Sequence, residues 1–420
     1  MTINSNKIIN KLKFNIIHHI KLIIFIIIII FCTLVGVYTY KGLYNTVNII
    51  PQQVKFINKN VLSLIKTHNV PNPQYHNKYY NKQMPLYLRD FYIAGSSKSY
   101  LLAGQSFAIP SLDAIKTVLK TNARVLELDI GFNGDSALDK NAKPVVTSPN
   151  TLMPYFGKGL NFDEVIKVIS ENGFSNKMNC PLILFLKLNY NPQSKILEDQ
   201  IATSINIHLG NRLLNKKYSY NRGNYQNEED ICSEGGTLGD ISLKDAIDRV
   251  IIMVNKYPPD SMKFQEIINA VASNNDQRVH ILEYTSDNEE FGGISATVTD
   301  TKSMIENNKY MMTIVEMQQE KTNNPRNIIH PTIDTKNLNP TEVRKYGNQI
   351  TMMHYYKLDD NLKTELNFFT KSGLILKPDN LRCIPIPPKS IKKQNIQKSF
   401  APTSNTIAGI GGKQWFKFNF

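Results

Sequence analysis

The chain has 420 residues, 41% of them hydrophobic and 20% charged, which excludes a wholly disordered protein and suffices for one large domain or two smaller ones. Its net charge is +14, but the basic residues are spread along the chain with no basic helix and no nucleic-acid fold signature, so no nucleic-acid partner is expected and an anionic membrane surface is the better match. Of the four cysteines, Cys32 lies in the apolar N-terminal run, and the odd, widely spaced trio Cys180, Cys232 and Cys383 shows neither a metal site nor a disulfide framework; the lack of any N-x-[ST] acceptor argues mildly against a glycosylated lumenal domain.

Residues 1–21 form a short basic tail in which Lys7, Lys11, Lys13 and Lys21 occur without any acid. Residues 22–40, LIIFIIIIIFCTLVGVYTY, carry no charge and are long enough to cross the ~30 Å hydrocarbon core as a helix. The run is long for a signal peptide and no clean small-x-small cleavage site follows, so it reads as a single membrane anchor. Lys41, Lys55 and Lys59 lie beyond it and leave the side of the membrane open. Residues 41–85 are rich in Asn and Tyr and read as a polar spacer.

A regular alternation then begins. FYIAGS (91–96) predicts a strand, and 109–122 a helix capped by Ser111, with Leu112, Ile115, Val118 and Leu119 on one face. RVLELDIGF (124–132) predicts a second strand, KPVVTS (143–148) a third, and 161–174 a helix. PLILFLKLNY (181–190) predicts a strand, 195–214 a helix and RVIIMVNK (249–256) a strand. Strands alternating with helices over this length predict a parallel α/β sheet or barrel. Residues 257–324 are less regular and read as a linker in which 278–284 and 310–317 are candidate strands. Order returns at 342–356 and 372–378, and a Pro- and Lys-rich tail, flexible from 391 to 420, ends in an aromatic cluster. Within the second strand, Glu127 and Asp129 are two apart and face the same way. Buried carboxylates of this kind must be paired, protonated or bound to a cation.

Read together, these stretches resemble the phosphoinositide-specific phospholipase C family. FYIAGSSKSYLLAGQ stands where the family has a strand and a His-Asn pair, NARVLELDI resembles its Val-Glu-Leu-Asp strand, and KPVVTSPNTLM its Pro-Val-x-Tyr-His-Gly-His-Thr-Leu segment. IDTKNLNP, YGNQITMMHYY and SGLILKPDNLR resemble the family's second, Y, region. The resemblance implies a distorted TIM-type (βα)8 barrel, an X-like half at 86–256, a Y-like half at 325–390, and a site at the C-terminal ends of the strands. It implies phosphodiester cleavage by two histidines, with calcium held by carboxylates to neutralise phosphate charge.

Carried over by position, the first catalytic His is Ser97 and the second is Asn150. Glu127 and Asp129 match calcium ligands, but Lys98 replaces the ligand Asn and Lys187 a further ligand carboxylate. Lys256 is adjacent to the family's phosphate-binding lysine positions, Arg326 stands two residues before its substrate Arg, and His354 lies at the position of a family Asn. Ser and Asn do not exchange protons near pH 7, and each lost acid–base group costs typically ~100- to 10,000-fold in rate. The expected protein is therefore a membrane-anchored, phospholipase C-like pseudoenzyme without a cofactor, its Glu127 and Asp129 paired with Lys98 and Lys187 in a neutral cluster. Its barrel is open to a phosphoinositide headgroup or a protein partner; calcium belongs only with a working site. An active phosphodiesterase with a rearranged acid and base, and a structural membrane protein without a ligand, remain the alternatives.

Overall fold

A computed structural model describes residues 2–44, 86–101, 110–134, 136–147, 159–174, 180–190, 193–222, 238–272, 279–284, 294–295, 301–317, 336–384, 406–408 and 414–417. Contacts divide the chain into two units, Met1–Val70 with Gln83–Pro385, and Pro71–Lys82 with Ile386–Phe420. In the first, helix α1 (Thr2–Tyr44) contains one stretch, His19–Tyr40, long and apolar enough to cross a membrane, with a mean hydropathy of 3.1 and its side chains exposed.

The remainder of this unit begins with β1 (Phe91–Ser97), α2 (Leu112–Lys120), β2 (Val125–Asn133), β3 (Lys143–Val146), β4 (Leu160–Asn161) and α3 (Phe162–Asn172). It continues through β5 (Leu182–Leu188), α4 (Lys195–Leu209), α5 (Leu243–Ala246), β6 (Val250–Val254), α6 (Met262–Gln265) and β7 (Ile268–Val271). Then follow β8 (Val279–Tyr284), β9 (Ile294–Ser295), α7 (Thr301–Tyr310), β10 (Met312–Met317), α8 (Pro340–Lys345), β11 (Ile350–His354), α9 (Asp360–Phe368) and β12 (Leu374–Leu376). The helices start where capping chemistry allows. Ser111 Oγ accepts from the Asp113 amide at 3.1 Å, and Asn161 Oδ1 from the Asp163 amide at 3.0 Å, each satisfying an otherwise orphaned N–H.

Eight parallel strands run in the order β7-β6-β5-β2-β1-β11-β10-β8, a nearly closed barrel. No ladder joins β7 to β8 among the described residues. β3 and β4 are not barrel staves: they hang antiparallel from the end of β2. β12 pairs antiparallel with the start of β1. The stretch 257–324, expected to link the two halves, contributes β7, β8 and β10. β8 and β10 fall on the two candidate strands at 278–284 and 310–317, whereas β7, four residues long, is not marked by its sequence. α4 ends at Leu209, five residues before the expected boundary, where a tight turn at Gly210–Arg212 takes over. In the second unit, β13 (Thr406–Ala408) and β14 (Gln414–Lys417) form an antiparallel pair within the tail expected to be flexible. The expected spacer lies outside the described residues beyond Tyr44 and before Leu86.

The strands bury both faces, as parallel strands do. Leu126, Leu128 and Ile130 of β2 pack outward with Leu184 and Leu186 of β5 and with Ile115, Ile166 and Ile201 of the helices. Phe91, Ile93, Val125, Ile183, Phe185, Ile251, Met253, Ile314, Ile350 and Met352 fill the interior. Gly95 lets this interior close, because a Cβ there would meet Thr351 O at 2.7 Å and Met352 Sδ at 2.8 Å. The same inward alternation then turns polar at the C-terminal ends: Ser97, Lys187, Glu316 and His354 each follow an apolar or glycine inward position by two residues, and Asp129 follows Glu127, itself two beyond Val125.

The cysteine expectation is corrected here. Cys383, just after β12, is disulfide-bonded, whereas Cys32 and Cys180 are free.

Candidate functional site at the barrel mouth

Ladder register brings the predicted residues together. Ser97 lies opposite His354 across β1 and β11, and Asp129 opposite Lys187 across β2 and β5. Ser97, Lys98, Glu127, Asp129, Lys187 and His354 are all buried. Ser97 Oγ donates to Glu127 Oε2 at 2.8 Å. The Lys187 ammonium lies 3.2 Å from Glu127 Oε1 and donates to Glu316 Oε2 at 2.7 Å. Asp129 is held on both oxygens: Tyr100 OH donates to Oδ2 and Asn189 Nδ2 to Oδ1, each at 2.7 Å.

Three of these partners were not assigned to the site by sequence. Glu316 lies on β10, in the stretch read as linker, and no motif marks it. Tyr100 has no assigned role in the sequence motifs, and Asn189 sits just past the end of β5. With Glu316 the cluster has three acids against two lysines, so it is not the neutral two-by-two arrangement expected. Burial raises the Glu316 carboxyl above its ordinary range, and Lys187 only partly offsets this. Burial and the neighbouring Glu127 likewise raise Asp129, against the pull of Lys98, Lys187 and Tyr100. Burial alone would depress the Lys187 ammonium, but Glu127 and Glu316 outweigh it and raise its pKa. Lys187 is thus a fixed cation.

Lys98 behaves differently. It sits at φ +45°, the left-handed region, which costs a non-glycine residue roughly 1–2 kcal/mol. The turn that holds it is built from Ser99 N–H to Glu127 O at 3.1 Å, Leu101 N–H to Lys98 O at 3.0 Å and Ser99 Oγ to Ser96 O at 2.8 Å. Its Nζ is buried and has no hydrogen-bond partner among the described residues. The expected pairing of Lys98 with the two acids is therefore corrected: Lys98 influences Asp129 electrostatically but does not bond to it. His354 is similar. Its ring stacks on Tyr356 at 5.0 Å and its amide donates to Asn337 Oδ1 at 2.6 Å, yet Nδ1 is buried without a partner. Burial first, then the cations of Lys98, Lys357 and Lys187, push its pKa down to about 3, so the ring is neutral at pH 7.

Lys256 is committed elsewhere, donating to Tyr190 O at 2.7 Å and lying over the Tyr190 ring. Asn150 and Arg326 lie outside the described residues.

Residues 84–233 match the family model described as phosphatidylinositol-specific phospholipase C, X domain. This stretch is similar to the X domain of the phosphatidylinositol-specific phospholipase C family. Among solved structures, PLC21 of S. officinalis is similar at 17% identity and a TM-score of 0.54, and PLC21 of L. pealei at 16% and 0.53. At this identity the likeness shows the fold. The alignments cover 72% and 71% of this chain but 38% of each of those proteins, so the chain spans well under half of their length. A calcium-dependent phosphoinositol-specific phospholipase C from Pseudomonas sp. aligns at 10% identity over 66% of this chain and 92% of its own, with a TM-score of 0.39, too low to carry an argument. No curated protein matches the chain.

The residues at the calcium position of this phospholipase C-like barrel do not fit the ion. Calcium takes six to eight oxygens, several of them carboxylate. Glu127 Oε2 and both Asp129 oxygens accept protein hydrogen bonds, and Glu127 Oε1, which has no hydrogen-bond partner, lies 3.2 Å from the Lys187 ammonium. Lys187 places its positive charge between Glu127 and Glu316, where a bound cation would be repelled. Among the described residues no group of three or more His, Cys, Asp or Glu is arranged to hold a metal.

Proposed function

We propose that this protein is a membrane-anchored phospholipase C-like pseudoenzyme that binds a phosphoinositide headgroup without cleaving it. The observation that carries the reading is the use of Glu127 Oε2 and both Asp129 oxygens as acceptors of protein hydrogen bonds, with Glu127 Oε1 ion-paired to Lys187, beside a buried Lys98 ammonium with no hydrogen-bond partner. Phosphodiester cleavage by this family's chemistry needs a base, an acid and a cation at the mouth. Ser97 replaces one imidazole, and its hydroxyl is used up on Glu127. His354 is neutral, but a group with a pKa of about 3 is a poor base. Anion binding asks for less. An ammonium and a neutral imidazole N–H are suitable phosphate donors, and a bound phosphate would neutralise the Lys98 charge that burial otherwise penalises. The His19–Tyr40 helix supports the anchor.

The test uses the full chain in liposomes containing phosphatidylinositol bisphosphate. Released inositol phosphate should stay at background with or without added calcium. Turnover above background that requires Glu127 and Asp129 would overturn the pseudoenzyme reading.

A further inference from the structure

Behind the mouth, the ends of β5 and β6 are clasped twice. Asn255 Oδ1 accepts from the Leu188 amide at 2.8 Å, and the Lys256 ammonium donates to Tyr190 O at 2.7 Å. Between the two clasps stands Asn189, whose side chain holds Asp129 Oδ1 at 2.7 Å and whose amide donates to Ile130 O at 2.8 Å. The grip on Tyr190 therefore steadies a donor at the mouth. Beside this clasp, α4 buries an unanswered acid. Glu198 is wholly buried, and neither of its carboxyl oxygens has a hydrogen-bond partner among the described residues. The buried Tyr190 hydroxyl has none either, and burial and then the Glu198 charge raise its pKa, so the two groups are neighbours. Buried polar atoms are rarely left over in this way, and an ionised carboxylate so placed is penalised until a cation reaches it.

The charges acting on the Glu198 carboxyl are Asp260, which leads into α6, Lys256, and Asp199 on its own helix. Burial first, then Asp260 and Asp199, raise its pKa to about 7 against the pull of Lys256. Of the other elements packed on α4, β3 and α6 keep their charged residues, Lys143 and Lys263, exposed, and α3 meets α4 nearer its far end through Asp163 and His208. Lys256 thus has two competing acceptors, the carbonyl it holds and the carboxyl that attracts it. An ionised carboxylate is the stronger acceptor of an ammonium, and a protonated carboxyl is not. Burial lowers the pKa of Lys256 and Glu198 raises it back, so its ammonium is favoured most when Glu198 is charged.

We propose that Glu198 and Lys256 form a proton-operated latch on the barrel mouth. With Glu198 protonated, Lys256 stays on Tyr190 O and the tail of β5 is clasped. When Glu198 gives its proton to solvent, the ammonium moves to the carboxylate, Tyr190 O is released, and Asn189 loses one of its two flanking supports. The latch is closed in acid and opens as pH rises through about 7. It stands whatever the mouth binds; its effect on headgroup affinity rests on the function proposed above.

The test follows hydrogen–deuterium exchange of the Asn189 amide in the full-length protein in detergent, at pH 6 and pH 8, corrected for the intrinsic rate. Glu198→Gln keeps the shape of the protonated carboxyl. Wild type and Glu198→Gln should exchange alike at pH 6, and at pH 8 wild type should exchange up to about tenfold faster, the worth of one hydrogen bond. Lys256→Met removes the clasp and should exchange at the faster rate at both pH values. Equal rates in wild type and Glu198→Gln at pH 8, or a Lys256→Met protein as protected as Glu198→Gln, would overturn the proposal. Titration with inositol trisphosphate reads the coupling to the mouth: binding should weaken from pH 6 to pH 8 in wild type and not in Glu198→Gln. Binding that is equal at both pH values in wild type would overturn that coupling. The expected exchange pattern without any binding would overturn the headgroup reading and support the latch.

Discussion

Lys377 and Lys98 are both buried, at opposite ends of one barrel. Lys377 follows β12 at the N-terminal end, where its ammonium donates to Asn308 O at 2.9 Å and Gly347 O at 3.2 Å. Burial lowers its pKa to about 7, and the nearby Asp90 partly restores it. Beside it, Gln349 Nε2 donates to Asn308 O and Met311 O, and its Oε1 takes both donors of Thr313. At that end the ammonium is occupied by protein carbonyls. Lys98, at the other end, has the same burial and no acceptor. On the proposed reading, the difference separates a charge kept for packing from one kept for a ligand, because an unpaired buried ammonium adds no stability of its own.

Substitutions should break this comparison in a fixed order. The largest loss is expected for Lys187→Met, which strands Glu127 and Glu316 in the interior. Chemical denaturation of the full chain in detergent should show about 3–5 kcal/mol less stability. Lys377→Met removes two hydrogen bonds but strands only carbonyls, and should cost about 1–3 kcal/mol in the same assay. Lys98→Met should be neutral or stabilising by about 1 kcal/mol, since it replaces an unpartnered charge with an apolar side chain. A loss as large as that of Lys377→Met would mean that Lys98 is structural after all.

The smallest effect is a titration. The folded-state pKa of His354, about 3, lies below its unfolded value of about 6.5, so protonation favours the unfolded chain. Its contribution to stability is full above pH ~6.5 and is lost as pH falls toward 3. The ring resonances of His354 should therefore not move between pH 5 and 8. In Lys98→Met the pKa should rise, because one of the cations depressing it is gone, while burial still holds it below the ordinary value.

Much of this architecture is legible in the sequence. The long apolar strands β2, β5 and β6 and the capped helices α2 and α3 announce themselves by period and by Ser111 and Asn161. The two-residue spacing of Glu127 and Asp129 fixes their common face. What stays hidden depends on distant parts of the chain. Glu316 joins the cluster only because β10 and β8 complete the barrel, and neither short strand carries a motif. Lys98 reads as a partner for Asp129, yet a left-handed backbone turn decides where its side chain goes, and residue identity alone does not encode that turn.

The central claim is that Lys98 supplies the positive charge for an anion at the mouth, in the place of a metal. Calorimetric titration of soluble inositol trisphosphate into the full-length protein tests it directly. The account predicts binding that calcium does not alter and that Lys98→Met weakens about tenfold or more, the worth of one charge-assisted hydrogen bond. Binding that requires calcium, or that is unchanged in Lys98→Met, would contradict it.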